Sequence, residues 1–256
     1  MPKLANILIY PIKSLDPIRV EQARVLPSGA LEFDRQWAIV DASGKFINGK
    51  RTPLVHQLRA SFSERFERVT FEFEDRSASF HLSNDLDDLE SWLSRVFAQP
   101  VRVLENAYGG YPDDTEAPGP TVITTATLET VASWFPPMTI EECRLRFRAN
   151  LEIGGVESFW EDRLFGPAGS QVDFRVGEVI FAGTNPCQRC VVPTRDPNTG
   201  EVRPRFTPEF SQHRTAALPD WAERSRFDHY FHLAVNTHLA HEGGILCVGD
   251  EVAVLG

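Results

Sequence analysis

Alternation of apolar and polar residues dominates the first hundred positions of the chain. Residues 68–75, "RVTFEFED", alternate with a period of two, and residues 77–83, "SASFHLS", follow after a short turn. Residues 33–41, "FDRQWAIVD", show a similar pattern before the turn sequence "ASGK". A period of two places successive side chains on opposite faces of a strand, and turn residues between two such runs are typical of a hairpin. The N-terminal part is therefore predicted to consist mainly of strands joined by hairpins.

Two segments carry a helical pattern instead. Residues 84–100, "NDLDDLESWLSRVFAQP", place their apolar side chains on one face, with Asn84 or Asp85 available as a cap and Pro100 as a stop. Residues 126–135, "ATLETVASWF", predict a shorter helix after the strand "TVITT". Most other apolar runs are short and bounded by turn residues. The predicted fold class is α+β and strand-rich, with barrel-like sheets.

Residues 144–153, "RLRFRANLEI", are interpreted as a strand because charged and apolar residues alternate. On a strand, Arg144, Arg146 and Arg148 would share one face. Such a row either covers an outer face in contact with solvent or builds a site for an anion. The residues alone leave both interpretations open.

The charge balance narrows the classes of partner. The chain has 256 residues and a formal net charge of −10, which argues against generic binding to nucleic acid or to an anionic membrane. No apolar run approaches the roughly 20 residues of a membrane span, and the N-terminal segment lacks the pattern of a secretory signal. Four cysteines in a chain of this length do not indicate a disulfide framework. We therefore expect a cytoplasmic protein.

The run "TNPCQRCVVPTRDPNTGE" at 184–201 contains the most unusual pair of side chains, Cys187 and Cys190. A thioredoxin-like redox pair would open a helix, whereas "VVPT" follows here, and a disulfide closing so short a loop would gain little. Two small buried side chains near a turn are the simplest alternative. Arg189 favours a thiolate beside it, and the turn sequence "RDPNTGE" indicates a rim where functional groups are common.

A structural zinc site is a further possibility for the pair, but it needs four ligands. Cys143 and Cys247 are isolated in the sequence. His229 and His232 are three apart in a segment interpreted as a strand, where side chains at this spacing point to opposite faces. The pattern therefore argues against zinc.

Two N-terminal segments contain further candidate anion ligands. "YPIKS" places Lys13 and Ser14 where an ammonium, a hydroxyl and free backbone N–H groups could meet a phosphate. "FDRQW" places Arg35 beside Trp37 with the same ambiguity as the other arginines.

These pieces together resemble the MOSC proteins, and more closely those with an N-terminal MOSC β-barrel domain, a group that includes the mitochondrial amidoxime-reducing component. The resemblance spans nearly the whole chain. It rests on "YPIKS", "FDRQWAIVD", "KRTP", "RFRANLEI", "CQRCVVPTRDPNTGE" and "VGDEV", in that order.

The resemblance implies binding of the molybdenum cofactor, a molybdopterin with a dithiolene and a phosphate. It implies that Cys190, and not Cys187, is the metal ligand, which suits a soft thiolate. "RAN" stands where the family has "RPN". The residues implied to hold the phosphate and the pterin, or to lie beside them, are Lys13, Ser14, Arg35, Thr124, Arg148, Asn150 and Arg189. At the family level the resemblance also points, more loosely, to pyridoxal phosphate.

The function implied is a molybdenum-dependent oxidoreductase that reduces N-hydroxylated or other N-oxygenated small molecules. The sequence shows no flavin, haem or iron–sulfur motif, so a separate flavin or iron–sulfur reductase is expected to supply electrons. An alternative is a sulfur carrier, or a protein that handles the molybdenum cofactor, with a persulfide on Cys190. A storage module without turnover is a third.

The same resemblance divides the chain into an N-terminal MOSC β-barrel domain, residues 1–115, and a MOSC domain, residues 116–256. If one cofactor is bound, the implied residues must converge on one cleft between these units. We expect the Cys190 thiol to face this cleft and Cys187 to point elsewhere. Residues 106–120 and 203–228 match the family least and are expected to shape the substrate entrance.

Overall fold

The structure is a computed structural model that describes residues 1–255, so Gly256, the end of the predicted second domain, lies outside the described residues. It is strand-rich and confirms the predicted α+β class. The α-helices are α1 (Leu86–Val96), α2 (Thr125–Ser133), α3 (Ile140–Phe147) and α4 (Phe206–Ala216). The strands are β1 (Lys3–Ile9), β2 (Ile18–Val20), β3 (Gln22–Arg24), β4 (Trp37–Asp41), β5 (Arg59–Phe62), β6 (Arg68–Phe73), β7 (Arg76–His81), β8 (Val101–Glu105), β9 (Val122–Thr124), β10 (Leu151–Gly154), β11 (Val172–Val176), β12 (Val179–Gln188), β13 (His232–Leu239), β14 (Ile245–Cys247) and β15 (Val252–Val254). Within residues 1–255, no helix is both long and apolar enough to cross a membrane.

One large sheet organises the C-terminal half. Its eight strands run in the order β15-β11-β12-β13-β9-β10-β1-β2, and the β9–β10 pair is parallel. The sheet curls so that β15, at one end, meets the start of β1, since Leu4 N–H donates to the carbonyl of Asp250 at 2.8 Å and Val252 N–H to that of Pro2 at 3.0 Å. Buried side chains such as Phe174 and Phe181 fill the interior. A curled sheet with its edges joined leaves few free strand edges.

The first strands of the chain belong to this large sheet. β1 pairs with β10 and β2 pairs with β1, while β3 pairs with β14. The segment that begins the predicted N-terminal domain is thereby built into the sheet of the second. The division at 115/116 stays a prediction, and the two units share a sheet across it.

A second core lies under the N-terminal strands. β6 and β7 form the predicted hairpin, and α1 covers it as the helical pattern predicted. Leu89 and Leu93 of α1 are fully buried, and Trp92 stacks on Phe71 with ring centroids 5.6 Å apart. Asp85, one of the two predicted residues, occupies the cap position, but its carboxylate accepts the N–H of His81 at 2.7 Å and makes no capping bond to the helix. Burial of the apolar face of α1 is the main source of its stability.

The predicted strand over 144–153 is wrong in its first half. Residues up to Phe147 form α3, and only β10 is extended. The Thr139 hydroxyl caps α3 by accepting the N–H of Glu142, and Glu142 pairs with Arg146 one turn later at 2.7 Å. Arg148 then ends the helix in the left-handed conformation, with φ of 53°. The three arginines therefore do not share one face.

The helix α4 and its core were not predicted from the sequence. Phe206 and Phe210 of α4 pack on Phe135 and Phe147, with the rings of Phe135 and Phe206 stacked at 4.4 Å. This aromatic cluster covers α2 and α3 and holds α3 beside the end of β12. It thereby sets the position of the chain that follows α3.

The predicted strand near residue 230 begins later than expected. β13 starts at His232, so His229 precedes the strand and its ring stacks on that of His232 at 4.4 Å. The argument that these two histidines point to opposite faces is therefore wrong. Asp228 lies close enough to join them as a third possible metal ligand. Phe231 N–H donates to His229 Nδ1 at 3.1 Å, and Nε2 of Gln188 lies 2.8 Å from His229 Nε2, so both ring nitrogens of His229 already face hydrogen-bond partners.

Candidate functional site

A cavity of about 470 Å³ lies where the N-terminal strands meet the large sheet. Its lining comes from both predicted domains, including the segments 13–16, 145–150 and 187–190. Of the eight site residues predicted, seven line it, namely Lys13, Ser14, Arg35, Arg148, Asn150, Arg189 and Cys190. These residues are separated by up to more than half of the chain and are brought together by the fold.

The cavity wall is positively charged in an acidic protein. Seven Lys and Arg side chains line it against four Asp, whereas the whole chain carries a net charge of −10. The lining cations are Lys13, Arg35, Lys50, Arg59, Arg146, Arg148 and Arg189. Such a wall concentrates positive potential and favours an anionic ligand.

Lys13 is held at the end of β1 by backbone pairing. Its N–H donates to the carbonyl of Trp37 at 2.7 Å, and the side chain is 8% exposed. Its ammonium donates to Asp113 Oδ1 at 2.6 Å and to the carbonyl of Tyr111 at 2.8 Å. Partial removal from water opposes ionisation of Asp113, but Lys13 and Arg35 outweigh it and lower the pKa of that carboxyl to about 2. An anion that binds Lys13 must therefore share it with Asp113 or replace it.

Tyr10 supports two of the predicted arginines. The guanidinium carbons of Arg35 and Arg148 lie 4.9 Å and 4.2 Å from the centroid of its ring. Burial raises the pKa of Tyr10 to about 12, so the ring stays neutral and presents its π face to both cations. Asp34 pairs with Arg35 and also accepts the N–H of Tyr10 at 2.9 Å. Tyr10 and Asp34 are thus positioning residues within the two predicted motifs.

Arg148 reaches the cavity because of its backbone conformation. The left-handed turn after α3 directs the side chain back across Tyr10, where Nη2 donates to the carbonyl of Leu15 at 2.8 Å. Burial disfavours the charge and lowers the pKa of the guanidinium. A bound anion would offset this cost directly.

Asn150 lines the cavity, but its amide is used by the fold. The side chain is 2% exposed, and Nδ2 donates to the carbonyl of Leu8 at 2.9 Å. Oδ1 accepts the N–H of Thr121 and Nη1 of Arg35, both at 3.3 Å. Asn150 therefore ties β1 and β10 together beside the cavity and orients Arg35.

The two cysteines lie at the end of the long strand β12, Cys187 within the strand and Cys190 beyond it. Both are free thiols, and both line the cavity, so the expectation that Cys187 points elsewhere is wrong. Cys187 also packs against the aromatic core around α4, and its burial raises the pKa of the thiol. Cys190 lies two residues beyond the end of β12, in the loop that leads into a short 3₁₀ turn at Val192–Thr194. A thiol on a loop can be presented to a ligand more freely than one packed against a core.

Two buried nitrogens at the wall have no hydrogen-bond partner within residues 1–255: Nη2 of Arg189 and Nε2 of His56. Arg189 is otherwise fixed, since Nε donates to the carbonyl of Leu233 at 2.9 Å and the guanidinium lies over Phe147. Buried donors without partners are costly in a folded protein. An oxyanion in the cavity would satisfy them, so the residues present fit a ligand that carries phosphate or oxo groups.

Thr124, the eighth predicted residue, does not line the cavity. It is fully buried and caps α2, where its hydroxyl oxygen accepts Thr127 N–H at 3.1 Å. The hydroxyl also bonds to Glu161 at 3.0 Å. Because the hydroxyl is engaged by the helix cap and by Glu161, Thr124 has a structural role, and the prediction that it belongs to the site is wrong.

Glu161 makes this buried cluster sensitive to pH. Burial and the neighbouring Asp162 raise the pKa of its carboxyl from 4.5 to about 7. The unfolded chain loses this proton near pH 4.5, whereas the folded protein keeps it until about pH 7, so the stability it contributes below pH 4.5 is lost as the pH rises. We expect the free energy of unfolding to fall by on the order of 3 kcal/mol across this window. Urea unfolding of Glu161→Gln should lack this fall, and Glu157→Gln, an exposed neighbour, should retain it. An equal pH dependence in all three proteins would contradict the prediction.

Two family models match the chain. The MOSC N-terminal beta barrel domain matches residues 1–84, and the MOSC domain matches residues 121–253. Relatives described as molybdenum cofactor sulfurase are 23% identical in Drosophila mojavensis, 21% in Homo sapiens and 22% in Oryza sativa subsp. japonica. The alignments cover 79%, 82% and 78% of this chain but only 29%, 28% and 29% of those proteins. The chain thus spans under a third of the length of these relatives.

Among solved structures, one chain described as a hypothetical protein has a TM-score of 0.43 and 10% identity, covering 100% of this chain and 68% of that chain. That likeness carries no argument about function. The implication of pyridoxal phosphate is addressed by none of these matches and stays a prediction. The matching of both domain models in the predicted order confirms the resemblance seen in the motifs, and the chain belongs to the MOSC domain family.

Proposed function

We propose that the protein is a molybdenum-cofactor-binding oxidoreductase that reduces N-hydroxylated or other N-oxygenated compounds. One observation carries the proposal: a single positive cavity gathers seven of the eight residues that the family resemblance implies, with the Cys190 thiol among them. The wall offers cations for a phosphate and a soft sulfur for a metal, the two kinds of ligand that such a cofactor needs. When bound, the cofactor supplies two-electron redox chemistry.

The chain itself would bind and orient the cofactor. Lys13 and Arg148 offer charge-assisted hydrogen bonds to a phosphate, and Ser14 adds a hydroxyl beside Lys13. Arg189 has a buried N–H free for an oxygen or nitrogen of the ligand. Cys190 would coordinate the metal as a thiolate.

The overall reaction consumes two electrons and two protons, breaks the N–O bond, and releases the reduced nitrogen compound and water. The chain has no flavin, haem or iron–sulfur motif of its own, so we propose a separate flavin or iron–sulfur reductase as the electron donor. The substrate is a small molecule that enters beside the loop 106–120, part of which lines the cavity.

Metal content and turnover test this proposal together. Protein expressed in a host that makes the cofactor should carry close to one molybdenum per chain and reduce an amidoxime or hydroxylamine with a chemical electron donor. Protein from a host that cannot make the cofactor should do neither. Full molybdenum loading without turnover of any N-oxygenated compound would contradict the reductase and leave a binding or storage module.

A second candidate is a sulfur carrier that handles the cofactor through a persulfide on Cys190. The observation in its favour is that the relatives above are described as molybdenum cofactor sulfurases. Sulfur that cyanide releases from the purified protein, one per chain and lost in Cys190→Ala, would support it. Stoichiometric molybdenum without such sulfur would favour the reductase.

Asp113 provides a test of how the cavity takes an anion. Its carboxylate pairs with the Lys13 ammonium and competes with any incoming phosphate. Asp113→Asn removes one negative charge, so the Lys13 ammonium no longer has to give up a charge-assisted contact when phosphate binds. The affinity for inorganic phosphate should therefore increase by about tenfold. Isothermal titration calorimetry measures this, with Asp220→Asn as a control outside the cavity lining. Unchanged or weaker binding in Asp113→Asn would show that Lys13 does not bind the anion.

A further inference from the structure

His56 is a cavity residue that neither the motifs nor the family resemblance singled out. It lies in the 3₁₀ turn Pro53–Gln57 between β4 and β5 and lines the same cavity as Lys13 and Cys190. Its ring packs against Gly49, where an added Cβ would come within 2.6 Å of Nε2. A side chain at residue 49 would have to displace the ring, so the glycine allows His56 to pack closely against the backbone there.

The imidazole has unsatisfied hydrogen-bonding capacity. Nε2 is buried and makes no hydrogen bond of good geometry within the described part of the chain, although the Gly49 backbone lies close enough to favour the charged ring weakly. A buried ring nitrogen without a partner carries a cost in folding free energy, because it has lost its hydrogen bond to water. His56 lines a cavity that suits oxyanions, and an oxygen of a bound anion could accept a hydrogen bond from the ring. Such a ligand would explain why the cost is tolerated.

Burial, together with the cations around the ring, keeps His56 neutral while no anion is bound. Burial, Arg148 and Arg195 lower the pKa of His56 to about 4, against smaller opposing effects of the Gly49 backbone and Asp196. Arg59 from β5 donates to the backbone carbonyl of His56 at 3.4 Å and pairs with Asp16. The charged groups facing His56 are thus Arg59, Arg148, Arg195 and Asp196, of which only Asp196 is acidic.

We infer that His56 takes up a proton when an oxyanion enters the cavity and then donates a hydrogen bond to it as a cation. The anion would offset the field of Arg148 and Arg195, which opposes the charged ring in addition to burial. The proton comes from solvent, and no other bond is made or broken. This inference rests on the anion-binding part of the proposed function and on no redox step.

Because proton binding and anion binding are linked, the inference predicts how the affinity for the anion changes with pH. If binding raises the pKa of His56 from about 4, the complex holds one more proton than the free protein between the two pKa values. The affinity for the anion must then increase as the pH falls, by at most about tenfold per pH unit for one proton. Sulfate is the appropriate probe because it remains a dianion between pH 5 and 8.

The test is calorimetric titration of sulfate into full-length protein from a host that cannot make the cofactor. Titrations at several pH values between 5 and 8, each in two buffers of different ionisation enthalpy, give the protons taken up per sulfate. Wild type should approach one proton at the lowest pH and bind at least about tenfold tighter there than at pH 8. His56→Gln should lose the uptake and most of the pH dependence. His213→Gln, a histidine on α4 stacked on Trp134 outside the cavity lining, should behave as wild type.

The outcomes separate the inference from the proposed function. Sulfate binding that Lys13→Ala weakens, but with no proton uptake in wild type, would overturn the role of His56 alone. Equal uptake in wild type and His56→Gln would do the same. Absence of sulfate binding would overturn both. Should His56→Gln fail to fold, the ¹⁵N shifts of the His56 ring in wild type report the same protonation, and a neutral ring at saturating sulfate and pH 5 would refute the inference.

Discussion

Replacement of Cys190 by serine is expected to abolish reductase activity and to reduce molybdenum retention, whereas Cys187→Ser should remain active. A serine hydroxyl is a harder and far less acidic ligand than a thiol, so it cannot replace a thiolate on a metal already held by sulfur. Even groups that only orient a metal ligand are worth about 10–100-fold, so loss of the ligand itself should exceed about a hundredfold.

Cys187 is the matched control because it lines the same cavity from the same segment. It packs against the aromatic core around α4, and its thiol has a raised pKa that suits a packing role better than metal ligation. Serine there should cost about 1 kcal/mol of stability and change activity by less than about tenfold. The measurements are molybdenum content and the rate with a chemical electron donor. Two equally inactive but folded variants would mean that the cysteines act as a pair.

Loss of cofactor on purification is the expected result of Arg148→Ala and Lys13→Ala. Each side chain offers a charge-assisted hydrogen bond worth about 1.5–3 kcal/mol, which corresponds to roughly ten- to a hundredfold in affinity. The double variant should be close to empty, because both cations face one cavity. Arg148 should show the larger effect, since its guanidinium is buried over Tyr10 and is not paired with a carboxylate, whereas Lys13 is partly neutralised by Asp113.

Stability must be measured beside occupancy, because Arg148 also bonds to the carbonyl of Leu15. Arg76→Ala provides the control, as this exposed arginine on β7 lies outside the cavity lining. The expected pattern is reduced molybdenum per chain in the cavity variants, with thermal unfolding showing a single folded population in all of them. Undiminished molybdenum content in the double variant would contradict the proposal that the cofactor phosphate binds at Lys13 and Arg148.

Some of the local elements could be predicted from the sequence because each depends on neighbours in the chain. The β6–β7 hairpin and the helix α1 have strong periods and clear turn or cap residues, and both are confirmed. The alternation of arginines at 144–148 misled the same reasoning. A charged–apolar alternation also fits a short helix, and there the cap at Thr139 and the Glu142–Arg146 pair decide the outcome.

The family motifs predicted most of the residues that line the cavity, but they gave no information about the contacts of those residues. The family resemblance placed Thr124 at the site, whereas the fold uses its hydroxyl for the cap and for Glu161. His56 carries no local signal at all, since a histidine after a turn has many uses. The role proposed for it rests on its neighbours Gly49 and Arg148, which only the folded chain brings to it.

By itself, the sequence determined the strand-rich α+β class, the strongest local elements and the family, because these follow from short-range patterns and motifs. The tertiary structure alone decided that Lys13 meets Asp113, that Arg148 turns back over Tyr10, and that both cysteines share a cavity with them. Such contacts join residues about a hundred or more positions apart. They form because burial of three separate cores and closure of the large sheet bring those segments together, and no local preference encodes that result.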